Sequence, residues 1–273
     1  MTASSSGAAD DQLTPDDHVS AADMAALAAD TLMTVRSEVG FSDAAALRSA
    51  GDRRSEETLQ ALLAERHPDD AVLSEESPDN PERLRAERVW VIDPLDGTRE
   101  FAEAGRSDFA VHVALVVGDR PRCGAVALPA TGEVFSTALV PLIDPVEAAP
   151  GRRLRLAVSR SRPPEMVGAV AAGLDAELVP MGSAGVKIMA VVRGEVDLYV
   201  HAGGQYEWDS AAPVAVALAA GLHASRIDGS ELRYNQADPW LPDLVVCRAV
   251  LAERVLEVLA SVCGAVPSDA PGA

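Results

Sequence analysis

A short strand that ends in acidic residues is the feature that most constrains how this chain can fold. The segment "VWVIDPLDGTREF" spans residues 89 to 101, and its first four residues are apolar, as expected of a buried strand. Pro94 ends the hydrogen-bonded ladder, because its nitrogen carries no hydrogen and its φ angle is fixed. Asp93 and Asp96 lie three residues apart around this bend, so both carboxylates can turn towards one point.

The residues around the bend supply oxygen ligands. The carbonyl of Leu95 can face the same point as Asp93 and Asp96, and such an oxygen-only set suits Mg²⁺. Gly97 lets a phosphate group approach the backbone, and Thr98 supplies a hydroxyl for a water or an oxyanion. The bend therefore predicts a site for Mg²⁺ and a phosphate group.

Further acids occur at two other element ends. The run "SEE" at 74 to 76 ends the preceding predicted strand, and Asp209 opens an apolar helix in "YEWDSAAP". A single acid in such a position is normally a solvated turn residue or a helix N-cap. Together with Asp93 and Asp96, however, these acids form a constellation that favours a metal site.

The charge and cysteine content restrict the partners and the compartment. The chain has 273 residues with 42 acidic and 23 basic side chains, and its net charge of -19 argues against nucleic acids and anionic membranes as partners. Its three cysteines lack the spacing of a zinc site or a disulfide framework. A signal-peptide pattern and a run of 18 apolar residues are both absent from the sequence. We therefore expect a cytoplasmic protein.

The order of predicted elements indicates two subdomains. Residues 1–18 have the composition of a disordered tail. Residues 19–150 read as an N-terminal α+β subdomain that carries the acidic motifs. Residues 151–273 read as a C-terminal α/β subdomain in which strands and helices alternate, which indicates a covered sheet. The boundary is placed near residue 150 because the segment 141 to 153 is rich in proline and glycine.

Three separated motifs resemble those of the inositol monophosphatase superfamily: "LSEE" at 73 to 76, "WVIDPLDGT" at 90 to 98 and "WDSAA" at 208 to 212. Its members are metal-dependent, lithium-inhibited phosphatases of sugars and nucleotides. The resemblance implies an α/β (α+β layered) fold, the alternating α-β-α-β-α sandwich of the inositol monophosphatase and fructose-1,6-bisphosphatase type. It also implies two to three Mg²⁺ ions per site, direct attack by a metal-activated water, and a homodimer.

Carried over residue by residue, the resemblance assigns the metal ligands. The first metal would be held by Glu75, Asp93 and the Leu95 carbonyl. The second would be held by Asp93, Asp96 and Asp209, so that Asp93 bridges the two. A third, weaker metal would share Glu75 and water.

The resemblance also assigns the catalytic residues. Thr98, together with Asp52 and Glu75, would orient the attacking water. Asp52 lies in "GDRRSEE", and Ser49, three residues earlier, stands where the family usually has threonine. The lysine-containing loop often found upstream in the family is missing here.

Within the superfamily, the chain is most similar to the bacterial CysQ-type 3'(2'),5'-bisphosphate nucleotidases. The stretches that carry this similarity are "DPLDGTREF", "GQYEWDSAAP", "GSAGVK" and "DGSELRYNQ". The similarity implies a small phosphorylated substrate, 3'-phosphoadenosine 5'-phosphate, which is cleaved to AMP and phosphate. The predicted substrate-binding residues are Gly97, Thr98, Arg99, Arg160, Arg162, Gly182, Ser183, Lys187 and Asp209.

The second phosphate of such a substrate needs cations outside the metal site, and the candidates are Lys187, Arg160, Arg162 and Arg233. Lys187 follows a glycine-rich helix start, which favours anion binding. The predicted flanks of an adenine ring are Tyr206, Trp208 and Tyr234. His112 alternates with apolar neighbours and is interpreted as a satisfied core histidine.

Other functions remain open at the level of sequence. The activity could extend to inositol monophosphates or fructose 1,6-bisphosphate, which some bacterial relatives hydrolyse. A haloacid-dehalogenase-like phosphatase also has acids after a strand, but its acids are two apart, whereas Asp93 and Asp96 are three apart. A regulatory protein that binds a nucleotide or metal without turnover is disfavoured, because every acid that the chemistry requires is present.

Overall fold

The computed structural model describes residues 13–139, 152–161, 163 and 165–264, which form two five-stranded sheets and seven α-helices. The helices are α1 Pro15–Val39, α2 Ala44–Arg66, α3 Thr98–Phe101, α4 Val167–Leu174, α5 Ala184–Val192, α6 Ala211–Ala219 and α7 Ala252–Gly264. The strands are β1 Ala71–Ser74, β2 Arg88–Asp96, β3 Ala110–Val117, β4 Arg120–Leu128, β5 Glu133–Ser136, β6 Leu154–Ser159, β7 Ala176–Met181, β8 Leu198–Tyr206, β9 His223–Ser225 and β10 Trp240–Cys247.

The first sheet has the strand order β1-β2-β3-β4-β5. Strand β1 runs parallel to β2, and the remaining neighbours are antiparallel. The pairing of β2 with β3 aligns Asp93 with His112 and becomes irregular between Asp93 and Asp96. The proline bend thus falls within this irregularity, as the sequence predicts, and leaves the end of β2 free to build a site.

The second sheet has the order β7-β6-β8-β10-β9. Strand β6 is parallel to both β7 and β8, and helices α4 and α5 lie in the connections between these strands. Strand β10 pairs antiparallel with β8 and with β9. The alternation predicted for the C-terminal half is therefore confirmed for β6 to β8.

The helices and the two sheets stack in five layers, and the contacts between these layers are formed by three clusters of buried apolar residues. Helices α1 and α2 bury Met24, Leu32 and Leu59 against one face of the first sheet. Helices α5 and α6 lie between the two sheets, with Ile188 among their buried residues. Helices α4 and α7 cover the outer face of the second sheet around Leu259. The predicted α-β-α-β-α sandwich is confirmed.

The N-terminal prediction needs one correction. Helix α1 begins at Pro15, so the predicted tail of residues 1–18 is wrong for its last four residues. Thr14 caps this helix in a reciprocal capping box with Asp17, and proline at the first helical position is already set for helix φ. Residues 1–12 and the predicted boundary near residue 150 lie outside the described residues.

The other end of α1 is capped by Gly40, whose φ of 69° suits glycine. None of the helices in the described ranges combines the length and apolar character needed to cross a bilayer.

Candidate metal centre

The bend at the end of β2 is fixed by three hydrogen bonds. The backbone N–H of Leu95 donates to Asp93 Oδ1 at 3.0 Å. The Ser55 hydroxyl on α2 donates to the carbonyl of Pro94 at 2.7 Å, and the Thr98 hydroxyl donates to the carbonyl of Leu95 at 3.1 Å. The bend is therefore held by its own backbone and by a neighbouring helix, as a preorganised ligand site requires.

Three carboxylates converge at this bend. One oxygen of each of Asp93, Asp96 and Asp209 lies within 4.8 Å of the other two. Asp93 is fully buried, and its Oδ2 atom has no hydrogen-bond partner among the described residues. A buried, unpartnered carboxylate oxygen beside two other acids is costly unless a cation binds there. The arrangement therefore fits the oxygen ligation of Mg²⁺.

Burial and mutual repulsion raise the pKa values of the clustered carboxyl groups. Burial and then the charges of Glu75 and Asp96 raise the pKa of Asp93 well above its ordinary value. Burial, followed by the charge of Asp96, raises the pKa of Asp209 to about 7. The Glu75 residue keeps exposed surface, but burial of its carboxyl group, followed by the charge of Asp209, raises its pKa to about 8. These carboxylates therefore repel one another in the metal-free protein.

The N-terminus of α5 orients Asp96. The backbone N–H of Gly185 donates to Asp96 Oδ2 at 2.7 Å, and the Ser183 hydroxyl donates to the same oxygen. The N–H of Gly182 donates instead to Asp108 Oδ2 at 2.6 Å. Gly182 and Ser183, which the sequence analysis assigns to the substrate, thus bond to the protein's own carboxylates here. The helix N-terminus thus positions a carboxylate of the cluster, and its positive end offsets part of the acidic charge.

His112 lies directly behind the acids. It is fully buried, its Nδ1 is 3.1 Å from the Trp208 carbonyl, and its Nε2 is 3.3 Å from Asp96 Oδ2. Nε2 has no hydrogen-bond partner among the described residues, so the predicted burial is confirmed and the predicted full satisfaction is wrong. A Cβ atom at Gly185 would lie 2.1 Å from this nitrogen, so this approach requires glycine.

Helix α2 places Asp52 near Glu76, in the loop that follows β1. Gly51 allows α2 to approach the bend closely, because a Cβ there would lie 3.0 Å from the side chain of Leu95. Burial, followed by the charge of Glu76, raises the pKa of Asp52 to about 7. Ser49 is exposed. A carboxyl group with such a pKa can hold or release a proton near neutral pH.

Glu56 fixes the loop that carries Glu75 and is a residue that the sequence analysis missed. It is buried on α2 and accepts hydrogen bonds from the hydroxyls of Ser74, at 2.8 Å, and Ser77. The signal was present in "SEE" at 55 to 57, but one turn of an amphipathic helix does not show which acid points inwards.

The predicted cation Lys187 is buried on α5, and the described residues offer it neither a hydrogen-bond acceptor nor an ion-pair partner. Its Nζ lies 5.1 Å from the centre of the Tyr199 ring. Burial lowers the pKa of Lys187, and the charge of Asp96 opposes that shift. Among the other predicted cations, Arg99 is exposed and Arg162 lies outside the described residues.

The remaining two arginines are already paired. Arg160 donates to Glu100 at 2.7 Å and to Glu103 at 3.0 Å. Arg233 pairs with Asp119 at the β3–β4 turn. An arginine held by two carboxylates has little positive charge to offer a phosphate, so Lys187 is the better candidate for a second phosphate.

This chain is similar in sequence and in fold to known proteins. Residues 16–262 match the model of the inositol monophosphatase family. A 3'-phosphoadenosine 5'-phosphate phosphatase of Mycobacterium leprae is 51% identical over 251 residues, which cover 89% of this chain and 93% of that protein. The 3'(2'),5'-bisphosphate nucleotidase CysQ of Escherichia coli K12 is 34% identical over 187 residues, which cover 64% of this chain and 74% of that protein.

Among solved structures, CysQ from Bacteroides thetaiotaomicron, described as a bacterial member of the inositol monophosphatase family, superposes with a TM-score of 0.75. The two are 27% identical, and the match covers 87% of this chain and 99% of that one. Residues 16–262, which the family model matches, contain both sheets and the acidic cluster described above. By its sequence, its layers and its acidic motifs, the chain belongs to the inositol monophosphatase family.

Proposed function

We propose that this chain hydrolyses 3'-phosphoadenosine 5'-phosphate at its 3'-phosphate, giving AMP and inorganic phosphate, with Mg²⁺ as the cofactor. The observation that carries the proposal is a three-carboxylate cluster with an unpartnered buried oxygen, close enough to the buried Lys187 side chain for the charges of Asp96 and Asp209 to act on it, although Lys187 forms no hydrogen bond or ion pair with a described residue. The carboxylate cluster suits a metal-bound phosphate, and the Lys187 side chain suits a second phosphate. The similarity to the M. leprae phosphatase supports the choice of substrate.

Two to three Mg²⁺ ions would use the oxygen atoms at the bend. Glu75, Asp93 and the Leu95 carbonyl would hold the first, and Glu75 would share a third with water. Asp93, Asp96 and Asp209 would hold the second. The bound ions supply an acidified water and neutralise charge on the phosphate and on the leaving oxygen.

The protein's own groups orient the attack. The Thr98 hydroxyl donates to the Leu95 carbonyl, so its lone pairs remain available to accept a hydrogen bond from the attacking water and orient it. Asp52 lies on α2 and Glu75 directly follows β1, and their pKa values are raised to about 7 and about 8, so either carboxylate could take the proton that the attacking water loses. The water oxygen would then bond to phosphorus as the bond between phosphorus and the 3'-oxygen breaks, and the leaving oxygen would take up a proton from solvent to become the 3'-hydroxyl of AMP.

Gly97 and Arg99 follow the bend at the end of β2 and would contact the phosphate. Gly97 has a φ of 87°, and a Cβ there would lie 3.0 Å from the carbonyl of Asp108, so glycine suits this position. Its backbone would face the phosphate. Arg99 is exposed on the first turn after it and can reach an anionic substrate. Lys187 would bind the second phosphate, and Arg160 would act by orienting Glu100.

We also propose that the protein is a cytoplasmic homodimer. Its cysteines at 123, 247 and 263 are all free thiols in the structure, two of them buried, which suits a reducing compartment. Association would cover part of the apolar surface that the monomer leaves exposed.

Phosphate release from a panel of esters tests the proposed function. The panel contains 3'-phosphoadenosine 5'-phosphate, inositol 1-phosphate and fructose 1,6-bisphosphate, each with Mg²⁺ and with a chelator. We expect Mg²⁺-dependent release with the highest kcat/KM on the nucleotide. A higher kcat/KM on inositol 1-phosphate or fructose 1,6-bisphosphate would reassign the substrate, and release that is unaffected by the chelator would contradict the metal mechanism.

A further inference from the structure

A pocket lined by arginines opens where strand β6 begins, and we call it the arginine pocket. Its volume is about 320 Å³, which is within the range of sites for small molecules. Apolar side chains, among them Leu251, also line it, and Asp175 is the one acid among the described residues of the lining. The four arginines of the lining are Arg152, Arg153, Arg248 and Arg254.

The arginine pocket lies far from the carboxylate cluster. Strand β6 begins at Leu154, in the lining of the pocket, and is six residues long, so its other end is roughly 20 Å away. Strand β8 runs parallel to β6, and its last residue, Tyr206, donates its N–H to Asp209 of the cluster. The pocket and the metal centre therefore lie at opposite ends of neighbouring parallel strands, too far apart for one small ligand to contact both.

A buried carboxylate fixes two of the four arginines. Asp197, which directly precedes β8, is 1% exposed and accepts a hydrogen bond from the Arg155 N–H at 2.8 Å. Arg152 pairs with the same carboxylate at 2.6 Å, and Arg248 approaches it at 3.4 Å. Asp197 therefore holds both guanidinium groups at the pocket, while its single charge can neutralise only one of them.

The other two arginines add positive charge. Arg254 on α7 donates to the carbonyl of Leu174 at 3.0 Å and has no ion-pair partner within the described ranges. Arg153 pairs with Asp175 at 3.0 Å, but both side chains are exposed, so water screens this pair. Four guanidinium groups and two carboxylates leave two positive charges at the pocket, in a chain whose net charge is -19. This part of the surface therefore attracts anions that the rest of the protein repels.

We propose that the arginine pocket binds the phosphate group of a small organic phosphate, at a site separate from the metal centre. Guanidinium groups hold phosphate oxygens through paired, charge-assisted N–H···O hydrogen bonds. A phosphate dianion would balance the two positive charges, and the apolar side chains of the lining would contact the organic part of the ligand. This site needs no metal ion, whereas the carboxylate cluster repels anions in the metal-free protein. It would bind its ligand whichever ester the metal centre hydrolyses.

Calorimetry in a chelator at pH 8 measures this binding, with phenylphosphonate and inorganic phosphate as the two probes. Phenylphosphonate represents an organic phosphate and cannot be hydrolysed as an ester. We expect both probes to bind, phenylphosphonate more tightly by roughly threefold or more, because its ring contacts the apolar lining. Arg254→Ala should raise both Kd values at least about tenfold, the effect of one lost charged hydrogen bond, and Arg153→Ala should raise them in the same direction.

Two control variants separate this site from general charge and from the metal centre. Arg85→Ala removes the same charge from an exposed arginine that pairs with Glu82, far along the chain from the pocket. Lys187→Ala removes the buried cation near the carboxylate cluster. Both variants should bind the two probes in chelator like the wild type, and circular dichroism should show that every variant is folded.

The binding data decide between a specific site and its alternatives. Wild-type protein that binds neither probe at millimolar concentrations, or binding that Arg254→Ala and Arg153→Ala leave unchanged, would overturn the proposal. An equal loss in Arg85→Ala would assign the effect to general surface charge, and a loss in Lys187→Ala would assign it to the metal centre; either result would also overturn it. Inorganic phosphate that binds as tightly as phenylphosphonate, with the same dependence on Arg254, would support the anion site and identify free phosphate as its ligand.

Discussion

Replacing Asp209 by asparagine should make the metal-free protein more stable and the enzyme less active. The carboxylate lies in the acidic cluster, where burial and the charge of Asp96 raise its pKa to about 7. The asparagine oxygen can still accept the hydrogen bond that Asp209 Oδ2 accepts from the Tyr206 N–H. The substitution therefore removes the repelled charge and keeps the local backbone contact.

The size of the expected stability change follows from the pKa shift of Asp209. A carboxyl group whose folded pKa is about 7 and whose unfolded pKa is 3.8 stabilises the protein below pH 3.8 and loses that contribution as the pH rises through 7. The full loss corresponds to about 4 kcal/mol. Between pH 5 and pH 8, the free energy of unfolding of Asp209→Asn should therefore rise relative to the wild type by roughly 2–3 kcal/mol.

Denaturant unfolding in a chelator at pH 5 and at pH 8 measures this difference. The matched control is Asp238→Asn, because the Asp238 carboxylate accepts a similar hydrogen bond from the Trp240 N–H but is exposed. Saturating Mg²⁺ should reverse the order, stabilising the wild type and not Asp209→Asn. A metal-free Asp209→Asn protein that is less stable than the wild type at pH 8, with the control unchanged, would refute the electrostatic reasoning.

Three further predictions concern the second phosphate, the α5 N-terminus and the assembly. Lys187→Ala should raise KM for the bisphosphate about 10- to 150-fold, which is the effect of one lost charged hydrogen bond, whereas the control Arg233→Ala should leave KM unchanged. An equal rise of KM on inositol 1-phosphate would show that Lys187 does not act on the second phosphate. Gly185→Ala should raise the half-saturating Mg²⁺ concentration at least severalfold, because the added methyl group collides with His112, whereas Gly168→Ala, with open space around it, should not. Light scattering at micromolar concentration should give the mass of a homodimer, and a monomer mass would contradict the proposed association.

Part of the candidate metal centre could be predicted because its residues are close together in the sequence. Asp93, Pro94 and Asp96 lie within four residues, so the sequence shows both the end of the strand and the acids that the bend brings together. Asp209 is more than a hundred residues away, and its role came from the family motif, since an acid before an apolar helix is otherwise an ordinary cap. The structure brings its carboxylate to the other two.

Long-range packing explains what the sequence did not predict. Strand β10 pairs with β8 across a connection of more than thirty residues, so the position of Trp240 beside Tyr206 has no local signal. The same limit applies to His112, whose period-two pattern predicts burial but cannot show that Asp96 lies 3.3 Å from its ring. Tyr234, predicted beside the adenine, is fully buried and bonded to Ser210 instead.

The paired measurement of Mg²⁺-dependent phosphate release by wild type and Asp93→Asn tests the central claim most directly. Asp93 is the fully buried carboxylate with the unpartnered oxygen, and in the proposed arrangement it would contact two metals, so replacing it by the neutral amide should lower kcat on 3'-phosphoadenosine 5'-phosphate by several orders of magnitude. Circular dichroism should show that the variant is folded. Folded Asp93→Asn with near wild-type turnover, or wild-type turnover that persists without a divalent cation, would contradict the account.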